Sequence, residues 1–84
     1  MMNKYLIEIY LPACGKSFQL RVPRDVPLAQ WLPLAARLLE RQSGGLFVSG
    51  ASTVLCDRQT GDIYDINRTA RELGFQNGSA ALLI

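Results

Sequence analysis

Residues 68–84 read RTARELGFQNGSAALLI, and the reading of this stretch decides the fold. Thr69 and Glu72 stand three apart, the spacing at which a hydroxyl and a carboxylate cap each other's backbone N–H groups, so a short helical turn is expected near residues 68–73, with Asn67 also placed to cap it. Gly74 supplies a left-handed stop. Asn77-Gly78 reads as a tight turn, and residues 79–84 as a strand. Every residue from Ala80 to Ile84 is apolar, so Leu82 must face away from Ala81 and Leu83, whichever face those two occupy. Such a strand must find a partner in the same sheet.

The first partner lies at the other end of the chain. In KYLIEIYL, residues 4–11, Tyr5, Ile7, Ile9 and Leu11 fall on one face and Leu6, Glu8 and Tyr10 on the other. PACGK turns the chain into SFQLRVP, where Phe18, Leu20 and Val22 point inward, and Pro23 closes the hairpin. From residue 24 the period changes from two to about three and a half. Leu28, Trp31, Leu32, Ala35, Leu38 and Leu39 form a helical stripe that Gly44-Gly45 ends. Asp25 or Val26 stands at the cap position, with Pro27 suited to the first turn. Pro33 leaves two versions open: a loose turn over Leu28 to Leu32 followed by a regular helix, or one bent helix running through. Trp31, on the stripe, reads as core.

Beyond the helix, LFVSGAS is a connection and TVLCD a short strand. RQTG then turns into DIYDI, which reads as a second short strand. A hairpin cannot bury its inner face alone, so the helix must pack on it. The last strand then fits in the sheet centre, parallel to the first and joined to it by a crossover through the helix. The expected class is α+β: a β-grasp with a mixed four- to five-stranded sheet on one main helix, all within one domain spanning 1–84.

Composition narrows the function. Nine basic and seven acidic residues give a formal net charge of +2, and the basic groups are scattered. The i, i+4 pair Arg37 and Arg41, with Glu40 beside it, reads as a solvated helix face, so no nucleic-acid partner is expected. No stretch approaches the roughly 18 apolar residues that span a bilayer, and the first residues alternate as a strand does, without the pattern of a signal peptide. The chain has no histidine, which removes the commonest general base and a common metal ligand. Cys14 and Cys56 have no metal-binding spacing and no evident activating base. They read as reduced thiols, with a disulfide open only if the fold brings them together. Asp57, Asp62 and Asp65 lack calcium-loop spacing and read as turn formers. No catalytic residue, metal or cofactor is expected.

NRTARELGFQNGSAALLI, with its short turn, its LG and apolar residue, its NG and its closing apolar strand, resembles the YukD family. These are ubiquitin-related β-grasp proteins associated with type VII (WXG-type) secretion. RVPRDVPLAQWLPLA is similar to that family's strand-to-helix junction, and the resemblance runs over nearly the whole chain. It implies a bacterial, cytoplasmic, ubiquitin-like domain, peripheral to a membrane complex, whose partner is a membrane component or ATPase of the secretion system. Related ubiquitin-like domains occur fused to such membrane components.

Conjugation and sulfur transfer in ubiquitin-related proteins use a flexible C-terminal Gly-Gly. Here ALLI stands in that place, and the only Gly-Gly lies at residues 44–45, so a non-conjugated interaction module is expected. In ubiquitin-like folds partners dock on the exposed sheet face. The corresponding positions are Leu6, Glu8 and Tyr10 on the first strand, Leu55 or its neighbours on the third, and Leu82 and Ile84 on the last. The same face could instead pair two copies of the chain. An accessory subunit of a multicomponent enzyme is the alternative, and a trimmed sulfur carrier or modifier comes after it.

Overall fold

Alternation of apolar and polar residues produces two eight-residue strands in the computed structural model, which describes residues 3–84: β1 (Lys4–Leu11) and β2 (Lys16–Pro23). They pair antiparallel with Ile7 opposite Leu20 and Ile9 opposite Phe18. The helix α1 (Leu28–Gln42) follows, then the short strand β3 (Leu55–Asp57) and the last strand, β4 (Ala80–Leu83). The sheet order is β2-β1-β4-β3. β4 lies parallel to β1, with Ile9 opposite Ala81 and Tyr10 opposite Leu82, and antiparallel to β3. This is the β-grasp arrangement, with four strands and the last one central.

The turn before β4 sets that register. Gly78, at φ +91°, donates its N–H to the Leu6 carbonyl at 2.7 Å, and Glu8 N–H donates to Ser79 O at 2.8 Å. Ahead of both, Leu6 N–H donates to the side-chain oxygen of Asn77 at 2.8 Å. The Asn77 side chain thus stands in for a backbone carbonyl and lengthens the parallel ladder by one bond.

One helix runs through Pro33, which decides between the two versions left open. Its N-cap is Pro27, with no side-chain cap, so neither Asp25 nor Val26 has that role. The first N–H groups are satisfied from a distance: Leu28 N–H donates to Arg68 O at 3.0 Å and Ala29 N–H to Ile66 O at 2.9 Å. Backbone carbonyls thereby replace a cap side chain. Asp25 instead grips Arg71, its two carboxylate oxygens taking Nε at 2.7 Å and Nη2 at 3.1 Å. At the other end Gly45 N–H returns to Glu40 O.

The buried stripe is Leu28, Trp31, Leu32, Ala35, Ala36 and Leu39. Leu38 is 40% exposed and Ala36 takes the place expected for it. Residues 32, 36 and 39 follow one another at four and three around the helix, whereas Leu38 lies to the side of that line. The stripe covers the inner sheet residues Ile7, Ile9, Leu11, Val22, Leu55, Ala81 and Leu83. Phe47 completes this core from the connection after α1, where no regular element was expected. Its N–H donates to Ser43 Oγ, and that hydroxyl donates in turn to Glu40 O.

The 62–66 segment, expected as a strand, is none. Only an isolated bridge joins Ile63 to Cys56. The Asp57 carboxylate accepts the N–H groups of Gln59 and Thr60, and Gly61 sits at φ +78°, so the turn is tight. Past Tyr64, whose N–H donates to Leu55 O, the Asp65 carboxylate accepts Asn67 N–H and folds the chain away from the sheet. Asn67 therefore does not cap the following turn. Thr69 does: Glu72 N–H donates to Thr69 Oγ1 at 3.1 Å while Thr69 N–H donates to Glu72 Oε1 at 3.0 Å. Leu73 N–H reaches Thr69 O, and Gly74 at φ +84° ends the turn.

Candidate functional site

The period of two sorts each strand between the helix side and the far side of the sheet. Registers place Leu6 opposite Arg21, Glu8 between Gln19 and Ala80, and Tyr10 between Ser17 and Leu82 on the far side. Leu82 in turn pairs with Cys56. Leu6, Glu8, Tyr10 and Leu82 are all half-buried. Leu82 points away from Ala81 and Leu83, which are in the core. Ile84 continues the alternation. Its N–H and carbonyl bond to Val54 at 3.1 and 2.9 Å, and its side chain is 55% exposed.

Leu55 does not belong to this face. It pairs with Leu83, turns toward the helix and is 1% exposed. The short β3 begins one residue out of phase with the expectation, so its outward residue is Cys56. That thiol is buried, and burial pushes its pKa up, which keeps it protonated and unreactive. Cys14 is likewise a free thiol, near the Leu11 carbonyl, and no disulfide joins the two.

Arg58, which the sequence reading did not single out, completes the face. It lies just past β3, with Nη1 2.8 Å from Glu8 Oε1 and its guanidinium 4.7 Å from the centre of the Tyr10 ring. A planar cation stacked on an aromatic ring and tied to a carboxylate is held by two contacts at once. The side chain thereby crosses from β3 to β1 over the width of β4. A signal was present in the sequence: an arginine directly after a strand that pairs with a centre carrying Glu8 and Tyr10 one strand away.

The Asp57 carboxylate is engaged within its own turn. The backbone N–H groups of Thr60 and Gln59 hold the Asp57 carboxyl below its ordinary range, and Tyr64 Oη adds a longer bond at 3.3 Å. Burial and the Asp57 charge push the Tyr64 phenol up to about 12. Among the described residues, no three His, Cys, Asp or Glu side chains gather as a metal-binding group, and no helix is long and apolar enough to cross a membrane. What the sheet face offers is contact chemistry: apolar side chains at Leu6, Leu82 and Ile84, an aromatic ring at Tyr10, the paired Arg58 and Glu8, and Arg21 across from Leu6.

The most exposed apolar side chains are elsewhere. Leu34 is 67% and Val48 71% exposed, with Leu46, Ile63 and Ile66 also out in solvent. They lie on the helix and on the connections that follow it.

No protein-family model matches the chain, and no curated protein matches it. Solved structures do. The ubiquitin-like domain of the type VII secretion system protein ECCD1 of Mycobacterium tuberculosis superposes with a TM-score of 0.82 at 13% identity, covering 99% of each chain. The EccD5 ubiquitin-like domain from Mycobacterium xenopi gives 0.83 at 12% identity, over 99% of this chain and 94% of that one. A chain of the MycP5-free ESX-5 inner membrane complex gives 0.81 at 10% identity, and there the match takes up 21% of the larger chain. These likenesses establish a ubiquitin-like β-grasp fold.

Proposed function

We propose that the chain is a non-conjugated, ubiquitin-like protein-binding module, an accessory component of a type VII-like secretion system that docks through the far face of its sheet. The observation carrying this reading is the row Tyr10–Leu82 with Leu6 and Ile84 beside it, a set of apolar side chains on a sheet face that α1 does not cover. The fold likeness to ubiquitin-like domains of type VII secretion proteins supports the choice of system. A match to a chain within an inner membrane complex supports a partner there, with this module on the cytoplasmic side.

Docking uses what the face already holds. Apolar side chains exclude water from the contact, and the Arg58–Glu8–Tyr10 group supplies a rigid polar rim whose side-chain freedom is spent before binding. Binding, rather than catalysis, is the activity this arrangement suits.

The test is the doubly substituted chain, Leu6→Asp with Leu82→Asp, purified beside the natural one from the native cells. Secretion-complex membrane components or ATPase should accompany the natural chain and be lost from the variant. Trp31 fluorescence must first show that the variant is folded. Equal recovery of those components by a folded variant refutes the sheet face. If sedimentation shows that the natural chain is a dimer and the variant a monomer, the face pairs two copies instead.

A further inference from the structure

A second surface lies on the flank of α1. Ala29, Pro33 and Arg37 stand four apart and form a straight strip along the helix, with Leu32 and Ala36 beside it. Facing them is the connection 49–53, and Ile66 closes the end. Between these walls runs a groove of about 380 Å³, within the size range of small binding clefts.

Each wall is fixed by the chemistry of its residues. The Glu40 carboxylate accepts both the N–H of Ser49 at 2.8 Å and its hydroxyl at 2.7 Å, and so ties the connection to the helix. Gly50 and Thr53 bond to each other twice, Gly50 N–H to Thr53 Oγ1 and Thr53 N–H to Gly50 O, which stiffens the wall beyond. Ile66 is held where its carbonyl takes the Ala29 N–H.

Two polar groups in the strip lack their usual partners. Pro33 has no N–H, so the Ala29 carbonyl loses its donor four residues on. Arg37 forms no ion pair among the described residues. The nearest acid along the helix, Glu40, has its Oε1 on Ser49 and feels the Arg37 charge only from beyond contact distance. Among the described residues Arg37 is the one charged side chain lining the groove, so the cleft is cationic over an apolar floor of Leu32, Ala36 and Ile66.

We propose that this groove is a docking site for an acidic peptide segment of a partner. One apolar side chain rests on Leu32 and Ile66, a carboxylate side chain pairs with Arg37, and a peptide N–H donates to the Ala29 carbonyl. The complementarity is one of charge and shape: an anion answers Arg37, a donor answers the Ala29 carbonyl that Pro33 leaves without its α-helical donor, and the volume holds one or two side chains. This surface is separate from the sheet face and does not depend on the reading given to it.

The probe is the blocked tetrapeptide acetyl-Asp-Leu-Asp-Leu-amide, titrated into the full ¹⁵N-labelled chain, with the same peptide carrying lysine in place of both aspartates as control. Amide shifts confined to residues 29–37, 49–53 and Ile66, seen with the acidic peptide and absent with the basic one, are the expected result. Arg37→Glu should weaken binding of the acidic peptide at least tenfold and admit the basic one. Pro33→Ala, which gives the Ala29 carbonyl a donor, should weaken it a few-fold. Both changes are on exposed positions, and the spectra themselves report whether each variant is folded. Absence of shifts, equal response to both peptides, shifts centred on Tyr10 and Leu82, or no effect of Arg37→Glu would each overturn the proposal. Only shifts on the sheet residues would at the same time bear on the other surface.

Discussion

Replacing Pro33 with alanine should stabilise this protein. Pro33 is the sixth residue of α1, past the first turn where proline fits without cost, and its ring is exposed. Proline in a helix interior is about 3 kcal/mol less favourable than alanine, through the lost hydrogen bond and the clash with the carbonyl four residues back. Against this, alanine gives the unfolded chain more freedom, an opposing effect of about 0.4 to 1 kcal/mol. No core contact is removed, since the buried stripe passes through Leu32 and Ala36 on either side. The net gain is about 2 kcal/mol. For a chain of this size that corresponds to a rise in Tm of roughly 8 to 16 °C. It is also a shift of about 2 M in the urea midpoint, given a slope near 1 kcal/mol/M. Urea titration followed by the single buried tryptophan, Trp31, measures it. Unchanged or lower stability would refute the reasoning. It would mean that the helix bends enough at Pro33 for the Ala29 carbonyl to find another donor and for the ring to sit without strain.

Thr69→Ala removes one half of the reciprocal Thr69–Glu72 cap and should cost about 1 kcal/mol. A loss of the same size in Glu72→Ala, without additivity in the double variant, would identify the pair as one unit by equilibrium unfolding. The carboxyls of Asp25, Glu40 and Asp57 are all held below their ordinary values of 3.8, 4.5 and 3.8, by the hydrogen bonds from Arg71, from Ser49, and from Thr60 and Gln59 respectively. In acid the unfolded chain therefore binds protons before the folded one. Stability is complete above those ordinary values and falls as pH drops through the depressed folded ones. Urea midpoints unchanged from neutral pH to below 3.8 would contradict this.

The fold was legible because its decisive signals are local. The alternation in residues 4–11 and 16–23, the glycines at 74 and 78, and the Thr69–Glu72 spacing each specify backbone geometry without reference to distant parts of the chain. Placing β4 in the sheet centre, parallel to β1, required only that the last strand find a partner in the same sheet and that the crossover through the helix be right-handed. What was not legible depends on contacts between distant residues. The carbonyls of Ile66 and Arg68 cap a helix that begins some forty positions earlier, and nothing near Pro27 announces it. Phe47 enters the core from a segment without period, because its backbone is shaped by Ser43 and Glu40 rather than by alternation.

The candidate face divides in the same way. Leu6, Glu8, Tyr10 and Leu82 follow from strand period and were placed correctly on the far side of the sheet. Leu55 was misplaced because β3 is only three residues long, too short for alternation to fix its phase. Arg58 was missed because its value lies in reaching across β4 to a ring and a carboxylate fifty positions away in sequence.

The central position of β4 has a consequence for how the protein is made. A ribosome releases β1, β2 and α1 first, and the strand that belongs between β1 and β3 emerges only after them. Until residues 77–83 are out, the N–H groups of Leu6 and Glu8 lack their native acceptors at Asn77 and Ser79. The nascent hairpin then presents an open edge on which another chain can add a strand. Folding must also wait for a contact spanning 71 residues, the kind of closure that slows a small domain. Crowded synthesis on one messenger would thus favour mispairing between neighbouring chains. Prompt arrival of β4 at that edge closes it to such mispairing.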